Sequence, residues 1–345
     1  MNFNLINLLS SMNSPDAVPV PARRCFLSQA AALMTAAGFG LLPESGNAAR
    51  PLEPPPLTRS NRPAYYPQPP TRHWTPAPPP THLNAMIPRY LAQLRQTGQL
   101  AKNERTAWLA YDFTSRRFLL SINASTPYQS ASMIKPFIAL AFFHKVQEGK
   151  LYYTPYQRQR MEAMIQYSDN QATNHFIELL NRTSRRSGPL EAEHTLKQRH
   201  PGLFRQTRIV ERIPGGGRTY RNKASALDYH RFLAALWYNQ LPYAAELRRL
   251  MYLPNRDRIY TGATGVARQT QVIDKTGTTA RLCGDMGILV AQGRDGRSYP
   301  YTFIGIIEKA RPAQNYSAWK DARGDIIRNV SNMTYSHLRQ VHNLV

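Results

Sequence analysis

The chain has 345 residues, 42% of them hydrophobic, and carries 44 Lys and Arg against 21 Asp and Glu, a formal charge of +23. The length suits one large domain or two small ones with a sizeable core. The charge calls for an anionic neighbour, but no zinc-finger, basic-zipper or RNA-binding signature accompanies it, so it reads as a basic surface rather than a nucleic-acid reader.

Residues 1–49 read as an export signal. Arg23-Arg24-Cys25-Phe26-Leu27 precedes an apolar stretch from Ala30 to Leu42, and small residues follow to Asn47-Ala48-Ala49. The arginine pair followed by Phe-Leu resembles a twin-arginine signal; the alternative is an ordinary Sec signal with a chance arginine pair. The apolar stretch is too short and too rich in Ala and Gly for a stable membrane span. Met12 is an alternative start. Arg23 and Arg24 balance Asp16 and Glu44, so the whole excess of +23 stays with the exported part. That places the chain in the periplasm or cell envelope, beside an anionic cell wall, and argues against a nucleic-acid partner.

Residues 50–82 form a linker, with 12 of the 27 prolines between 51 and 82. Pro54-Pro55-Pro56 and Pro78-Pro79-Pro80 favour extended polyproline segments, which suit a semi-rigid tether. A docking segment is the sharper alternative, but no recognisable period supports it.

The folded domain spans 83–345. Residues 84–98 read as an amphipathic helix. Thr106–Tyr111 and Arg117–Ile122 read as strands joined at Thr114-Ser115. Ser132–Gly149 is a strongly apolar helix ending at glycine. Further helices are expected near 158–166, 170–181, 225–238 and 243–252. Strands return at Gln271–Gly277, Gly284–Gln292 and Tyr301–Glu308, and a helix closes the chain from Gln314 to Leu338. The order predicts one mixed sheet built from both ends of the domain, covered by helices, with the helical block as a second lobe. Cys25 and Cys283 are the two cysteines. With Cys25 removed, no structural disulfide is expected. The nine histidines show no metal-ligand spacing, and His194 and His200 read as surface residues.

Three strings carry chemistry. Ser132-Met133-Ile134-Lys135 puts a hydroxyl and an amine one turn apart at a helix start. Free backbone N–H groups there can stabilise an oxyanion, and burial among positive neighbours can leave Lys135 neutral enough to take the serine proton. Ser168-Asp169-Asn170 offers a second hydroxyl to relay a proton and an amide to hold a substrate; Asp169 or Ser168 also suits a helix cap. Lys275-Thr276-Gly277 ends a strand whose glycine allows close approach by a ligand. Lys275 and Thr276 would hold a substrate carboxylate. The N–H of Thr278 could pair with that of Ser132 as an oxyanion hole.

Taken in order, these strings resemble the penicillin-recognising serine enzymes, the class A β-lactamases and related D,D-peptidases. Gly149-Lys150-Leu151, the helix bearing Asn174, Ser225-Ala226-x-Asp228 and Asp274-Lys275-Thr276-Gly277 also fall in family order. The resemblance covers residues 84–345. It implies an α+β fold: a five-stranded antiparallel sheet flanked by helices, plus a helical lobe. It also implies acylation at Ser132. No cofactor or metal is expected, and a monomer is.

The chain departs from class A in three places. The stretch between Ser132 and Ser168 is shorter, which suggests a more open cleft. The Glu-x-x-x-Asn string that supplies the deacylation base is replaced by Val210-Glu211-Arg212-Ile213-Pro214-Gly215-Gly216-Gly217, so Glu211 is the candidate base, with a salt bridge to Arg212 or Arg208 as the bland alternative. Met286 stands where class A often has arginine, and Arg281 is the candidate substitute. Three functions follow: a β-lactamase working through acyl-Ser132, a D,D-carboxypeptidase acting on D-Ala-D-Ala-type wall peptides, or a penicillin-binding sensor without turnover.

Overall fold

The computed structural model describes residues 82–214 and 221–345. The export signal, Cys25, nearly all of the proline-rich linker and Gly215–Gly217 lie outside them. Helix α1 (His82–Gln96) leads into β1 (Glu104–Asp112) and β2 (Arg117–Ile122). A short β3 (Tyr128–Gln129) and a 3₁₀ turn (Ala131–Ile134) precede α2 (Lys135–Gln147). Then come α3 (Pro155–Ile165), α4 (Asn170–Asn181), α5 (Gly188–Arg199), β4 (Lys223–Ala224), α6 (Ala226–Trp237) and α7 (Ala244–Tyr252). The chain closes with β5 (Gln271–Thr279), β6 (Leu282–Gln292), β7 (Ser298–Lys309) and α8 (Tyr316–His342).

The main sheet has five strands in the order β2-β1-β7-β6-β5, and every pairing is antiparallel, so the sheet is antiparallel rather than the mixed one that the element order predicted. The β1–β7 pairing joins the two ends of the domain, as the element order predicted. Strand alternation decides what each face covers. Ala107, Leu109 and Tyr111 of β1 enter one apolar cluster with the helical lobe; Trp108 and Ala110 enter the other, with α1 and α8. Helix α2 is buried nearly all round, which explains its apolar sequence, and it forms the axis of the lobe.

The fold is the α+β arrangement expected, with corrections of detail. Residues 188–199 form α5, which the sequence did not disclose. This helix carries His200 inward: the Nε2 atoms of His200 and His144 lie 2.8 Å apart, so His200 is half-buried rather than a surface residue. The expected helix from Ser132 starts as a 3₁₀ turn, and the α-helix begins at Lys135. Ser225 caps α6 by accepting from Asp228 N, and Asp228 in turn accepts from Gln206 N and Thr207 Oγ1. The Ser-Ala-x-Asp string thus fastens the preceding loop to the lobe. Cys283 is a free, buried thiol. Among the described residues no helix is long and apolar enough to cross a membrane.

Candidate active site

The nucleophile candidate sits on a strained turn. Ser130 N donates to Asn222 O at 2.9 Å, Ala131 takes a left-handed φ of 44°, and Met133 N closes the turn onto Ser130 O at 3.0 Å. A non-glycine residue at positive φ costs energy and persists only where its surroundings impose it. Here the imposing contact is Met133, whose side chain fills a notch between Gly277 of β5 and its cross-strand partner Gly284 of β6. A Cβ on Gly277 would lie 2.9 Å from Met133 Cγ and 3.1 Å from Ser130 O; one on Gly284 would lie 2.7 Å from Met133 Cε. The glycine of the Lys-Thr-Gly string therefore admits the nucleophile's own turn, a closer guest than the ligand its sequence suggested. Ser132 itself remains half-buried.

Lys135 is fully buried and joins the first two strings. Its amine donates to Ser168 O at 2.5 Å, Ser168 Oγ at 3.1 Å and Asn170 Oδ1 at 2.9 Å. Ser132 Oγ is not among these acceptors, although the spacing suggested contact. The 3₁₀ turn breaks the α-helical stacking, and the amine leans across to the α3–α4 loop. Burial, and then the charge of Lys275, pull its pKa down to about 6, against the opposing pull of Asp169. The three bonds use all three protons of the ammonium; above its pKa the amine keeps two N–H groups, so one of these bonds opens and the nitrogen gains a lone pair for a proton. Ser168 holds its place at a positive φ of 58°. Asp169 anchors the loop, capping α4 through Ala172 N at 2.5 Å and donating its own N–H to Ala163 O.

The third string lies on β5, the edge strand, whose Gly277 packs against the nucleophile turn. Lys275 is buried; burial lowers its pKa, and Asp274 and Asp285 oppose that shift. Beneath it lies an acid cluster. Asp274 is pushed up by burial and by Asp285 and Asp257, and Asp285 is pushed up to about 6, first by burial and then by Asp257. Thr276 and Thr278 alternate onto the half-exposed face. Arg258 reaches this face from the loop after α7. Its Nη2 donates to Thr278 Oγ1 at 2.6 Å and its Nη1 to Gly284 O at 3.2 Å, and its backbone N–H is fixed by Asp285 Oδ2 at 2.6 Å. Met286 is buried opposite Lys275. Arg281 sits in the β5–β6 turn, donating from N to Thr279 Oγ1 and from Nε to Lys309 O at 3.4 Å. Arg258, missed in the sequence because it stands alone in an irregular loop, is the guanidinium on the Lys-Thr-Gly strand.

The loop before α6 meets the site through Asn174. This residue lies one turn after Asn170 on α4. Its Nδ2 donates to Ile213 O at 2.5 Å and its Oδ1 accepts from Ile213 N at 3.0 Å. Ile213 is buried yet belongs to neither apolar cluster. Glu211 Oε1 turns outward to accept from Arg221 N at 2.8 Å, while its backbone N and O are held by the Asn222 side chain. Arg212 pairs with Glu178, and Arg208 with Glu193. Asn222, also unforeseen, thus ties the loop to the nucleophile turn through its own carbonyl. Among the described residues there is no cluster of three or more His, Cys, Asp or Glu able to hold a metal.

A sheet flanked by helices, a serine on a tight turn at the head of a buried helix and a buried lysine bridging to Ser-Asp-Asn are the arrangement that the family resemblance implied. The family model described as the β-lactamase enzyme family matches residues 91–158 and 155–338, more than half of the chain, and the chain belongs to that family. It is similar in fold to a mutant of PBP-A solved as an acyl-enzyme complex with penicillin G (TM-score 0.60, 21% identity, covering 77% of this chain and 100% of that one). PBP-A itself matches with a TM-score of 0.58 at 22% identity over 77% and 99% of the two chains. An ancestral class A β-lactamase matches with a TM-score of 0.56 at 18% identity over 74% and 99%. No curated protein matches.

Proposed function

We propose that the domain is a serine acyl hydrolase that opens β-lactams through an acyl-Ser132 intermediate. The observation that carries this reading is the buried amine of Lys135, beside Ser132 in the chain and bonded to both Ser168 Oγ and Asn170 Oδ1. Neutral Lys135 takes the Ser132 proton as Ser132 Oγ attacks the amide carbon. The N–H groups of Ser132 and Thr278 receive the developing oxyanion, a contribution typically worth on the order of 10²–10³ in rate per donor. Ser168 relays a proton to the leaving nitrogen. Asn170 has its Oδ1 engaged by Lys135, which turns its Nδ2 toward a substrate carbonyl. Lys275, Thr276 and Gly277 line the carboxylate side, and Arg258 adds a charge there that the sequence had assigned to Arg281.

Release of the acyl group needs a base, and general-base help is typically worth on the order of 10²–10⁴. Glu211 is the candidate. Its outward carboxylate, together with the apolar Ile213 held against α4, favours a second reading: slow deacylation, as in a D,D-carboxypeptidase inhibited by β-lactams or a sensor that stays acylated. The export signal, tether and basic charge fit a monomer working in the envelope on D-Ala-D-Ala-type peptides beside an anionic wall.

A chromogenic cephalosporin mixed with the purified domain, followed by colour and by protein mass, tests these readings. Sustained colour that Glu211→Gln converts to a trapped adduct supports the hydrolase. A single burst with a stable adduct, turned into sustained turnover by Ile213→Glu, supports the second reading. Absence of both colour and adduct, or full activity in Ser132→Ala, would sink both.

A further inference from the structure

Gln129 links the two halves of the candidate oxyanion hole. It is buried, three residues before Ser132, and its Oε1 accepts from Thr279 Oγ1 at 3.2 Å. Thr279 directly follows Thr278 on β5. The Thr279 hydroxyl also accepts from Arg281 N at 3.1 Å, which leaves its proton for Gln129. The Gln129 backbone is fixed as well: its N–H donates to Glu308 Oε1 of β7 at 3.3 Å, and β3 pairs it with Lys223 of β4. The nucleophile turn thus meets β5 at two points, Met133 in the Gly277–Gly284 notch and Gln129 on Thr279.

The link is costly. Among the described residues Gln129 Nε2 and Ser130 Oγ, both buried, have no hydrogen-bond partner. An unsatisfied buried polar atom costs roughly 1–3 kcal/mol. A leucine at 129 would fill similar space without that cost and would lose only the bond to Thr279. We infer that Gln129 is a positioning residue: its bond to Thr279 sets the distance between the N–H groups of Ser132 and Thr278, and hence the fit of the hole to a tetrahedral oxyanion. The inference rests on acylation at Ser132. Its effect falls on the chemical step, because a hole out of register binds the flat carbonyl of the ground state almost as well as before while losing the transition state.

Stopped-flow acylation by a β-lactam, resolved into ground-state affinity and limiting rate, tests this in the full folded domain. Thr279→Val keeps the shape and removes the hydroxyl; Thr279→Ser keeps the hydroxyl. The expected result is a limiting rate reduced about tenfold or more in Thr279→Val and Gln129→Leu, with ground-state affinity within about twofold and wild-type rates in Thr279→Ser. The double variant Gln129→Leu/Thr279→Val should be no slower than the slower single variant, because both remove one link. Wild-type protein that is never acylated would refute the reading of the site. Wild-type acylation with an unchanged limiting rate in folded Thr279→Val, or additive losses in the double variant, would overturn the role of Gln129.

Discussion

Under the proposed function Lys135 is the base for acylation, and its titration gives a signed prediction. Burial and Lys275 lower its folded pKa to about 6, so the amine is charged below that pH and neutral above it. Acylation should therefore climb as pH rises from 5 through about 6 and then level. Stopped-flow acylation across that range checks this, and a rate that falls with rising pH would place the base elsewhere. Ser132, Lys135, Ser168, Asn170 and Lys275 were nameable as candidates because each falls in a short local string, although the bonds that join Lys135 to Ser168 and Asn170 span 33 and 35 residues. Arg258, Asn222 and Gln129 were not. Each acquires its role only through a partner far along the chain, 20, 92 and 150 residues away in the bonds to Thr278, Ser130 and Thr279.

Two contacts between elements can be tested by stability. Gly277→Ala would push a Cβ to 2.9 Å from Met133 Cγ and 3.1 Å from backbone Ser130 O. The methionine can yield, but the carbonyl belongs to the nucleophile turn. The expected loss is about 1–3 kcal/mol in urea unfolding, with slowed acylation. Asn174→Ala would remove both bonds to the Ile213 backbone and leave a buried N–H and C=O without partners. It should cost roughly 1–3 kcal/mol by the same measurement and increase proteolysis of the 207–214 loop. Most helices and strands were legible from period and capping. The exceptions have physical reasons. Helix α5 mixes charged and apolar residues without a clear stripe. Strands β3 and β4 are two residues each, too short for any alternation to register.

At the scale of the molecule, the sheet is closed by the β1–β7 ladder, so the nucleophile and the Lys-Thr-Gly strand, over 140 residues apart in sequence, share one rigid frame. The element order foretold that closure; the distance across the oxyanion hole depends on side-chain packing and was out of reach. The surplus charge of +23 lies wholly beyond residue 49. If it serves an anionic wall, sedimentation with purified peptidoglycan should fall steeply between low salt and about 0.5 M, where screening shortens to a few ångströms. Salt-independent binding would assign the association to specific contacts instead. The central claim is acylation of Ser132, and intact-mass spectrometry of the domain incubated with penicillin G tests it most directly. The account predicts a gain of one penicilloyl mass on the peptide bearing Ser132, in the wild type if deacylation is slow and in Glu211→Gln if the wild type turns penicillin G over, and in neither case in Ser132→Ala; a wild type that neither hydrolyses penicillin G nor gains mass, or an adduct that persists in Ser132→Ala, would contradict it.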